Sequence, residues 1–175
     1  MKEGEVYFSP DPGMAARSSL ADFTAFLENE VGTRFADYTA LHRFSVAEFR
    51  RFWAAFLRWS RLEVEGSDEP VCRGDDVETA VFYPDLRLSY AGNLLRSLDA
   101  ASDMREALVA VAEDGVVQRL TRAGLRDRVS RAAAGLAARG LASGERVVAV
   151  ARNNADTVVA CLAATGLGAS WSSTT

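Results

Sequence analysis

The chain has 175 residues, of which 49% are hydrophobic and 25% are charged, so it is long enough to bury one sizeable core with a small appendage. This composition excludes disordered and collagen-like classes of protein. The formal net charge of -4 leaves no basic surplus for a nucleic acid or an anionic membrane, so we expect no nucleic-acid partner.

The N-terminal stretch Met1–Gly13 lacks the basic and apolar regions of a signal peptide. No apolar run in the sequence reaches the ~18 residues that a membrane span needs. We therefore expect no membrane span and a cytoplasmic location.

The first predicted helix follows a turn-rich segment at residues 9–13. Ser18 or Ser19 can cap it, and Gly32 is a suitable stop. Spacings of three and four place four apolar residues on one face, namely Leu20, Phe23, Leu27 and Val31.

A second helix is predicted from Ser45 to Trp59. The run Ser45-Val46-Ala47-Glu48 fits a capping box, and Phe44 and Phe49 occupy the hydrophobic-staple positions. The stripe expected on one face consists of Phe49, Phe52, Trp53, Phe56 and Leu57. An aromatic stripe at helical spacing is typical of core packing, so we expect Phe52, Trp53 and Phe56 to be buried against the rest of the chain or its missing partner domain.

Periodicity weakens between Leu62 and Asp103. The acidic stretch Gly66–Asp76 indicates a surface loop, and Thr79–Pro84 favours extended backbone. We interpret residues 1–103 as an N-terminal helical cap with an irregular connection, and residues 104–175 as the first part of an α/β domain.

A hairpin and a helix open the second part. Ala107–Ala112 is an apolar run of strand length, Asp114-Gly115 predicts a tight turn, and Val116–Leu120 would return as the partner strand. Thr121 can cap a helix that ends at Gly140. Its expected buried face consists of Leu125, Val129, Ala132, Ala133 and Leu136, and its arginines are interpreted as a solvated face.

A strand–helix–strand unit follows. Arg146–Ala151 is predicted as a buried strand, Asp156–Thr165 as a helix after the turn 152–154, and Ala169–Ser172 as the next strand. Such a unit should have parallel strands and a right-handed crossover. So few parallel strands would leave an apolar edge and face uncovered. The predicted class is α/β and incomplete.

Several stretches, in this order, resemble the N-terminal third of the AMP-forming acyl-CoA synthetases, and within them the acetoacetyl-CoA synthetases. These stretches are Leu41–Ser45 with Phe49, Phe52 and Trp53; Leu86–Leu95; Gly140–Val147; Arg152–Asn154 with Cys161–Ala163; and Gly168–Ser173. Ser89 and Gly92 depart from the family phrase, which usually has Asn and Glu there.

The resemblance implies a helical cap followed by the first strands and helices of an acyl-adenylate-forming N-terminal domain. It implies a two-step ligase reaction in the full-length enzyme, with ATP, Mg²⁺ and CoA as cofactors. The partners it implies are the rest of the same enzyme and small-molecule substrates. It also implies that Trp171, Ser172, Ser173 and Thr174 lie near the CoA pocket.

The residues that perform this chemistry in the family have no counterpart in the chain. There is no G-x-x-x-x-G-K-[ST] motif, no Ser-Gly-Thr-Thr-Gly run followed by Lys, and no lysine after Lys2. We therefore expect no catalytic residue, no metal ligand and no cofactor of its own, and an inactive isolated chain. Ser172–Thr175 lacks glycines and a following lysine, which favours the end of a strand over a phosphate loop.

Other site types are also disfavoured. His42 is the only histidine, and no G-x-S-x-G elbow accompanies it, so a Ser-His-Asp triad is not predicted. Trp171 occupies the third glycine position after Gly166-Leu167-Gly168, which excludes a dinucleotide fingerprint. Cys72 and Cys161 lack C-x-x-C spacing, which favours reduced, packed thiols.

Two alternatives to the acetoacetate-specific interpretation stay open. The chain could be a noncatalytic module that binds a partner by strand addition at its sheet edge. It could also belong to a ligase for another short- or medium-chain acid.

Overall fold

The computed structural model describes residues 8–9, 11–76 and 78–174, which form two compact units. The first unit comprises the chain up to Leu62 together with Gly66–Leu86, and the second comprises Glu63–Glu65 with the chain from Arg87 onward. Lys2, Thr175 and most of the stretch examined for a signal peptide lie outside the described residues. Among the helices of the described part, none is long and apolar enough to cross a membrane.

The first unit begins with four helices: α1 (Pro12–Ala16), α2 (Ser19–Val31), α3 (Tyr38–Ala47) and α4 (Phe49–Ser60). The bounds predicted for α2 are confirmed. The Ser18 hydroxyl accepts a hydrogen bond from the Ala21 amide at 3.1 Å, and Gly32 ends the helix with a φ of 70°. Phe23 and Leu27 are buried as predicted, whereas Leu20 is 50% exposed.

The predicted start of the aromatic helix is wrong. Asp37 caps α3, since its carboxylate accepts from the Ala40 amide at 2.8 Å, and the helix that starts there continues through Ser45 to Ala47. Ser45 lies inside α3, where its hydroxyl donates to the His42 carbonyl. A serine in a helix interior commonly satisfies its hydroxyl in this way. α4 then begins after Glu48, which makes no side-chain cap.

The core of the first unit is aromatic. Its buried members are Phe23, Leu27, Leu41 and Ala55. Phe23 makes edge contacts with Phe52 and Phe56 at ring-centroid distances of 5.3 and 5.4 Å, so these two pack on the core as expected. Trp53 contacts Phe82 and stays 39% exposed, so its burial against the rest of this chain is not observed. Its burial against a missing partner domain stays a prediction.

Four two-residue strands follow: β1 (Glu65–Gly66), β2 (Cys72–Arg73), β3 (Val81–Phe82) and β4 (Leu86–Arg87). β2 and β3 pair antiparallel, with Cys72 opposite Phe82, and β1 pairs with β4. The extended backbone expected at 79–84 is thus confirmed over two residues. The passage between the two units falls inside the predicted irregular connection. The domain boundary at 103/104 stays a prediction.

The second unit contains α5 (Tyr90–Leu95), α6 (Ala100–Asp103), β5 (Glu106–Val111), β6 (Val117–Thr121), α7 (Arg122–Ala138), β7 (Arg146–Val150), α8 (Ala155–Gly166) and β8 (Ser170–Thr174). The predicted hairpin is confirmed. β5 and β6 pair antiparallel with Val111 opposite Val117, and the Asp114 carboxylate accepts from the Val116 amide at 3.0 Å in the turn.

Helix α7 also begins and packs as predicted. Thr121 caps it through the Gly124 amide at 3.1 Å, and Leu125 and Val129 are buried. The interpretation of its arginines as a solvated face holds for Arg131 and Arg139, which are exposed, but is wrong for Arg126 and Arg128. Arg126 makes a two-pronged ion pair with Asp103, at 2.7 and 3.1 Å, and Arg128 lies 2.6 Å from an Asp156 oxygen. These arginines connect α7 to α6 and α8 because their guanidinium groups reach carboxylates on those helices.

The strand–helix–strand unit is confirmed as parallel. Residues Arg146–Val150 of β7 pair in order with Ser170–Thr174 of β8. The segment Arg146–Ala151 was predicted as a buried strand, but Val148 and Val150 are 70% and 83% exposed. The correction has a physical cause: in the described residues the helices pack on one face of this sheet, and the other face is open. The hand of the crossover stays a prediction.

Candidate functional site

The four residues predicted to lie near a CoA pocket sit together on β8. Trp171 is half-buried, whereas Ser172, Ser173 and Thr174 are exposed. In the parallel register, Trp171 lies beside Val147 and Ser172 beside Val148. Since side chains alternate along a strand, Trp171 shares the helix-covered face with Val147, and Ser172 lies on the open face.

The start of β8 is held by the turn that precedes β7. The Gly144 amide donates to the Gly168 carbonyl at 3.0 Å, and the Ser170 amide donates to the Glu145 carbonyl at 2.8 Å. Gly168 has a φ of 78°, and a Cβ there would lie 2.5 Å from the Ser143 hydroxyl. The left-handed backbone and the contact with Ser143 therefore both require glycine at position 168.

The carboxyl end of the β7–β8 sheet is bordered by the turn that leads into α8. The Ala151 amide donates to the Thr174 carbonyl at 2.9 Å, which brings the ends of both strands together. Asn154 caps α8 by accepting from the Thr157 amide at 3.0 Å. In parallel α/β sheets, ligands approach at the carboxyl ends of the strands. This edge, with Ser173 and Thr174 at its end, is the candidate site.

On the strand side the candidate site offers the hydroxyls of Ser173 and Thr174, and the bordering turn carries Asn154 and the exposed cation Arg152. Hydroxyls and amides orient a ligand but neither neutralise a phosphate nor transfer a proton at neutral pH. His42 lies on α3 in the first unit, exposed, with its ring 6.2 Å from that of Tyr38. The geometry of β8 therefore places hydroxyl groups that could orient a ligand at this edge of the sheet.

Both cysteines are free thiols, as expected. Cys72 is buried in the first unit, and Cys161 is half-buried on α8 in the second. Burial raises the pKa of the Cys161 thiol, so the reactive thiolate is disfavoured at neutral pH. Neither thiol has the environment of a nucleophile.

ATP and Mg²⁺ do not fit the residues that the structure describes. In that part of the chain no three His, Cys, Asp or Glu side chains lie together as a potential metal site. It also contains no lysine, the compact cation suited to nucleotide phosphates. No step of nucleotide chemistry is therefore assigned to these side chains.

A shallow groove of about 420 Å³ in the second unit borders α5 and includes Ser89, Gly92 and Asn93. Asn93 accepts from the Glu63 amide at 2.7 Å and donates to the Glu63 carbonyl at 2.9 Å. These hydrogen bonds between Asn93 and Glu63 were not predicted from the sequence. The only sequence signal for them was the position of Asn93 within the family-like stretch Leu86–Leu95.

The two departures from the family phrase fall at the start of α5. Ser89 is the N-cap residue, and its hydroxyl accepts from the Gly92 amide at 3.0 Å. Serine and asparagine are both strong N-caps, so Ser89 keeps the capping function of the usual residue. A glutamate at position 92 would complete a capping box, which Gly92 cannot do.

The chain is similar to known proteins over almost its whole length. Residues 98–172 match the family model described as "AMP-binding enzyme". The acetoacetyl-coenzyme A synthetase of Rhizobium meliloti (strain 1021) is 37% identical over 164 residues, which cover 94% of this chain and 25% of that protein. The acetoacetyl-CoA synthetase of Gallus gallus is 34% identical over 98% of this chain and 26% of its own length.

A solved structure agrees. The acetoacetyl-CoA synthetase from Streptomyces lividans superposes with a TM-score of 0.86 and 32% identity, covering 95% of this chain and 26% of that chain. The chain thus spans about a quarter of the length of the relatives it matches. The match confirms the predicted incomplete α/β domain.

Proposed function

We propose a function from the premise that the chain belongs to the AMP-binding enzymes and corresponds to the N-terminal part of acetoacetyl-CoA synthetases. In this proposal it is the N-terminal portion of an acetoacetate–CoA ligase-like enzyme. The observation that carries it is the superposition of 95% of the chain on a synthetase structure of which it covers 26%.

The complete enzyme would join acetoacetate to ATP as an acyl-adenylate with release of pyrophosphate, and the CoA thiol would then displace AMP. ATP, Mg²⁺ and CoA would supply the activating group, charge neutralisation and the acceptor thiol. The contribution of this chain is the helical cap and the strand that carries Trp171–Thr174. We propose that these residues border the CoA pocket, where their hydroxyls would orient the ligand.

The isolated chain should not catalyse either step. Phosphoryl and adenylyl transfer depend on cations placed around the phosphates. Nine arginines of the described residues, Arg58, Arg126 and Arg128 among them, pair with carboxylates, and the sole lysine of the sequence is Lys2. A cytoplasmic location is part of the same proposal.

The test is acetoacetate-dependent pyrophosphate release by the purified chain. The comparison is a chimera in which this chain replaces the matched quarter of the Streptomyces lividans synthetase. We expect no release above background from the chain and release from the chimera. Acetoacetate-dependent release by the chain alone would overturn the assignment of catalysis to the rest of the enzyme.

A noncatalytic partner-binding module is the second candidate, because Val148 and Val150 are largely exposed on the open sheet face. A monodisperse monomer with a sharp cooperative melt, together with an inactive chimera, would favour the module.

A further inference from the structure

An exposed arginine lies in the turn that borders the candidate site. Arg152 follows the end of β7, and in the part of the chain that the structure describes no carboxylate pairs with it. Asp156, the acidic residue nearest to it in sequence, is instead held by Arg128 at 2.6 Å. The positive charge of Arg152 is therefore available to a ligand, whereas that of Arg128 is already neutralised.

The backbone around Arg152 is fixed on both sides. The Ala151 amide donates to the Thr174 carbonyl at 2.9 Å, which ties the turn to the end of β8. The carbonyl of Arg152 accepts two hydrogen bonds, from the Asn154 amide at 3.0 Å and from the Thr157 hydroxyl at 2.6 Å. Thr157 lies in the first turn of α8, so the side chain of Arg152 extends from a backbone that is held by both a strand and a helix.

The parallel register brings this cation to the same edge of the sheet as the hydroxyls of β8. Val150 pairs with Thr174, and Arg152 comes two residues after Val150. A guanidinium group binds phosphate oxygens through paired hydrogen bonds and keeps its charge at any physiological pH. Arg146 carries the same charge at the start of β7, and so at the opposite edge of the sheet.

We propose that Arg152 binds a phosphate of CoA and that Thr157 is the residue that positions it. This proposal rests on the proposed function, in which this edge of the sheet borders the CoA pocket. CoA carries a diphosphate and a ribose phosphate, so a cation at the border of its pocket meets an anionic group. Holding the turn in advance lowers the ordering cost of binding, and this is the contribution of the Thr157 hydroxyl.

The experiment measures the Kd for CoA by calorimetry in the Streptomyces lividans chimera, so that the result does not depend on activity. We expect Arg152→Ala to raise the Kd for CoA by at least about tenfold, because a charge-assisted contact is lost. The Kd for ATP should stay the same. Arg146→Ala is the matched control, since it removes the same charge from the other end of β7, and it should change the Kd for CoA by less than about twofold.

The role of Thr157 is tested by its coupling to Arg152. Thr157→Val removes the hydroxyl but keeps the branched shape, and we expect it to raise the Kd for CoA about threefold or more, with Thr157→Ser close to the parent. In an Arg152→Ala background Thr157→Val should have no further effect. A loss of the same factor in both backgrounds would show that Thr157 acts on the fold and does not position Arg152.

Three results overturn the contact between Arg152 and phosphate: an unchanged Kd for CoA in Arg152→Ala, an equal loss in Arg146→Ala, or a loss confined to ATP. The two proposals also fail separately. An active chimera whose CoA affinity is insensitive to Arg152→Ala refutes the contact and leaves the ligase assignment intact. An inactive chimera that binds CoA and loses affinity in Arg152→Ala refutes the ligase assignment alone, and a folded chimera that binds no CoA overturns both.

Discussion

Leu27 and Leu20 are two leucines on one helix with opposite environments, and they provide a quantitative test of the first unit. Leu27 is fully buried, whereas Leu20 is 50% exposed. Leu27→Ala removes three carbons beyond Cβ, worth about 2.4 kcal/mol at about 0.8 kcal/mol per buried carbon. The cavity left in the aromatic core raises the expected loss to about 3–4 kcal/mol.

Leu20→Ala makes the same chemical change at the surface. Half of the side chain is already in water and no closed cavity forms, so we expect a loss of about 1 kcal/mol or less. Urea denaturation is followed by tryptophan emission in a Trp171→Phe background, so that Trp53 and Trp59 report the first unit alone. With an m-value of about 1 kcal/mol/M, the two midpoints should differ by about 2 M.

Equal midpoints for the two variants would refute the placement of Leu27 in the core and of Leu20 outside it. A loss below about 1 kcal/mol for Leu27→Ala would refute the aromatic cluster as the source of stability in this unit. Leu27→Val, which removes one carbon, serves if the alanine variant does not fold, with an expected loss of about 1 kcal/mol.

Three further predictions concern the second unit, where Trp171 is the reporter. Hydrogen bonds from Arg126 lower the pKa of Asp103 from its ordinary value of 3.8. The ion pair therefore stabilises the folded unit fully above pH 3.8, and this stabilisation is lost as the pH falls through the lower folded-state pKa. Asp103→Asn should flatten this acid dependence of the urea midpoint. Gly168→Ala should lower the free energy of unfolding by more than the about 1–2 kcal/mol that left-handed strain alone costs. The matched control is Gly140→Ala, where an added Cβ meets nothing within 4 Å, and its loss should be smaller. Equal urea midpoints for the two variants would contradict this. Ser89→Ala should cost about 1 kcal/mol by thermal melting and Ser89→Asn only a few tenths, whereas equal losses would argue against the cap.

Local signals predicted the elements that depend on neighbouring residues. Ser18 and Gly32 bound α2, Thr121 caps α7, and Asp114-Gly115 turns the hairpin, all as the sequence indicated. Each of these features is decided by backbone groups within a few residues of the signal. The parallel β7–β8 pair also followed from the alternation of strand and helix.

Predictions failed where a distant residue decided the outcome. Ser45 carried a valid capping pattern, but Asp37 started a helix earlier and left Ser45 in its interior. Trp53 lay on the predicted apolar stripe, but its contact with Phe82, from a strand 29 positions later, leaves it 39% exposed at the surface. Arg126 was interpreted as solvated, but the fold brings Asp103 to within 2.7 Å of its guanidinium group.

The candidate site was predicted from a family phrase and not from geometry. Residues 171–174 were grouped because they are adjacent in sequence, and any strand would have kept them together. Their alternation between a helix-covered and an open face required the register with β7. Whether they border a CoA pocket depends on parts of the enzyme that lie outside this chain.

The most direct measurement of the central claim is the rate of acetoacetyl-CoA formation by the chimera that carries this chain in place of the matched quarter of the Streptomyces lividans synthetase. The control is the same synthetase with that quarter deleted. The account predicts kcat/KM for acetoacetate within about tenfold of the parent enzyme, or about 1.4 kcal/mol in transition-state stabilisation, and no activity for the deletion. A folded chimera with no more activity than the deletion would contradict it.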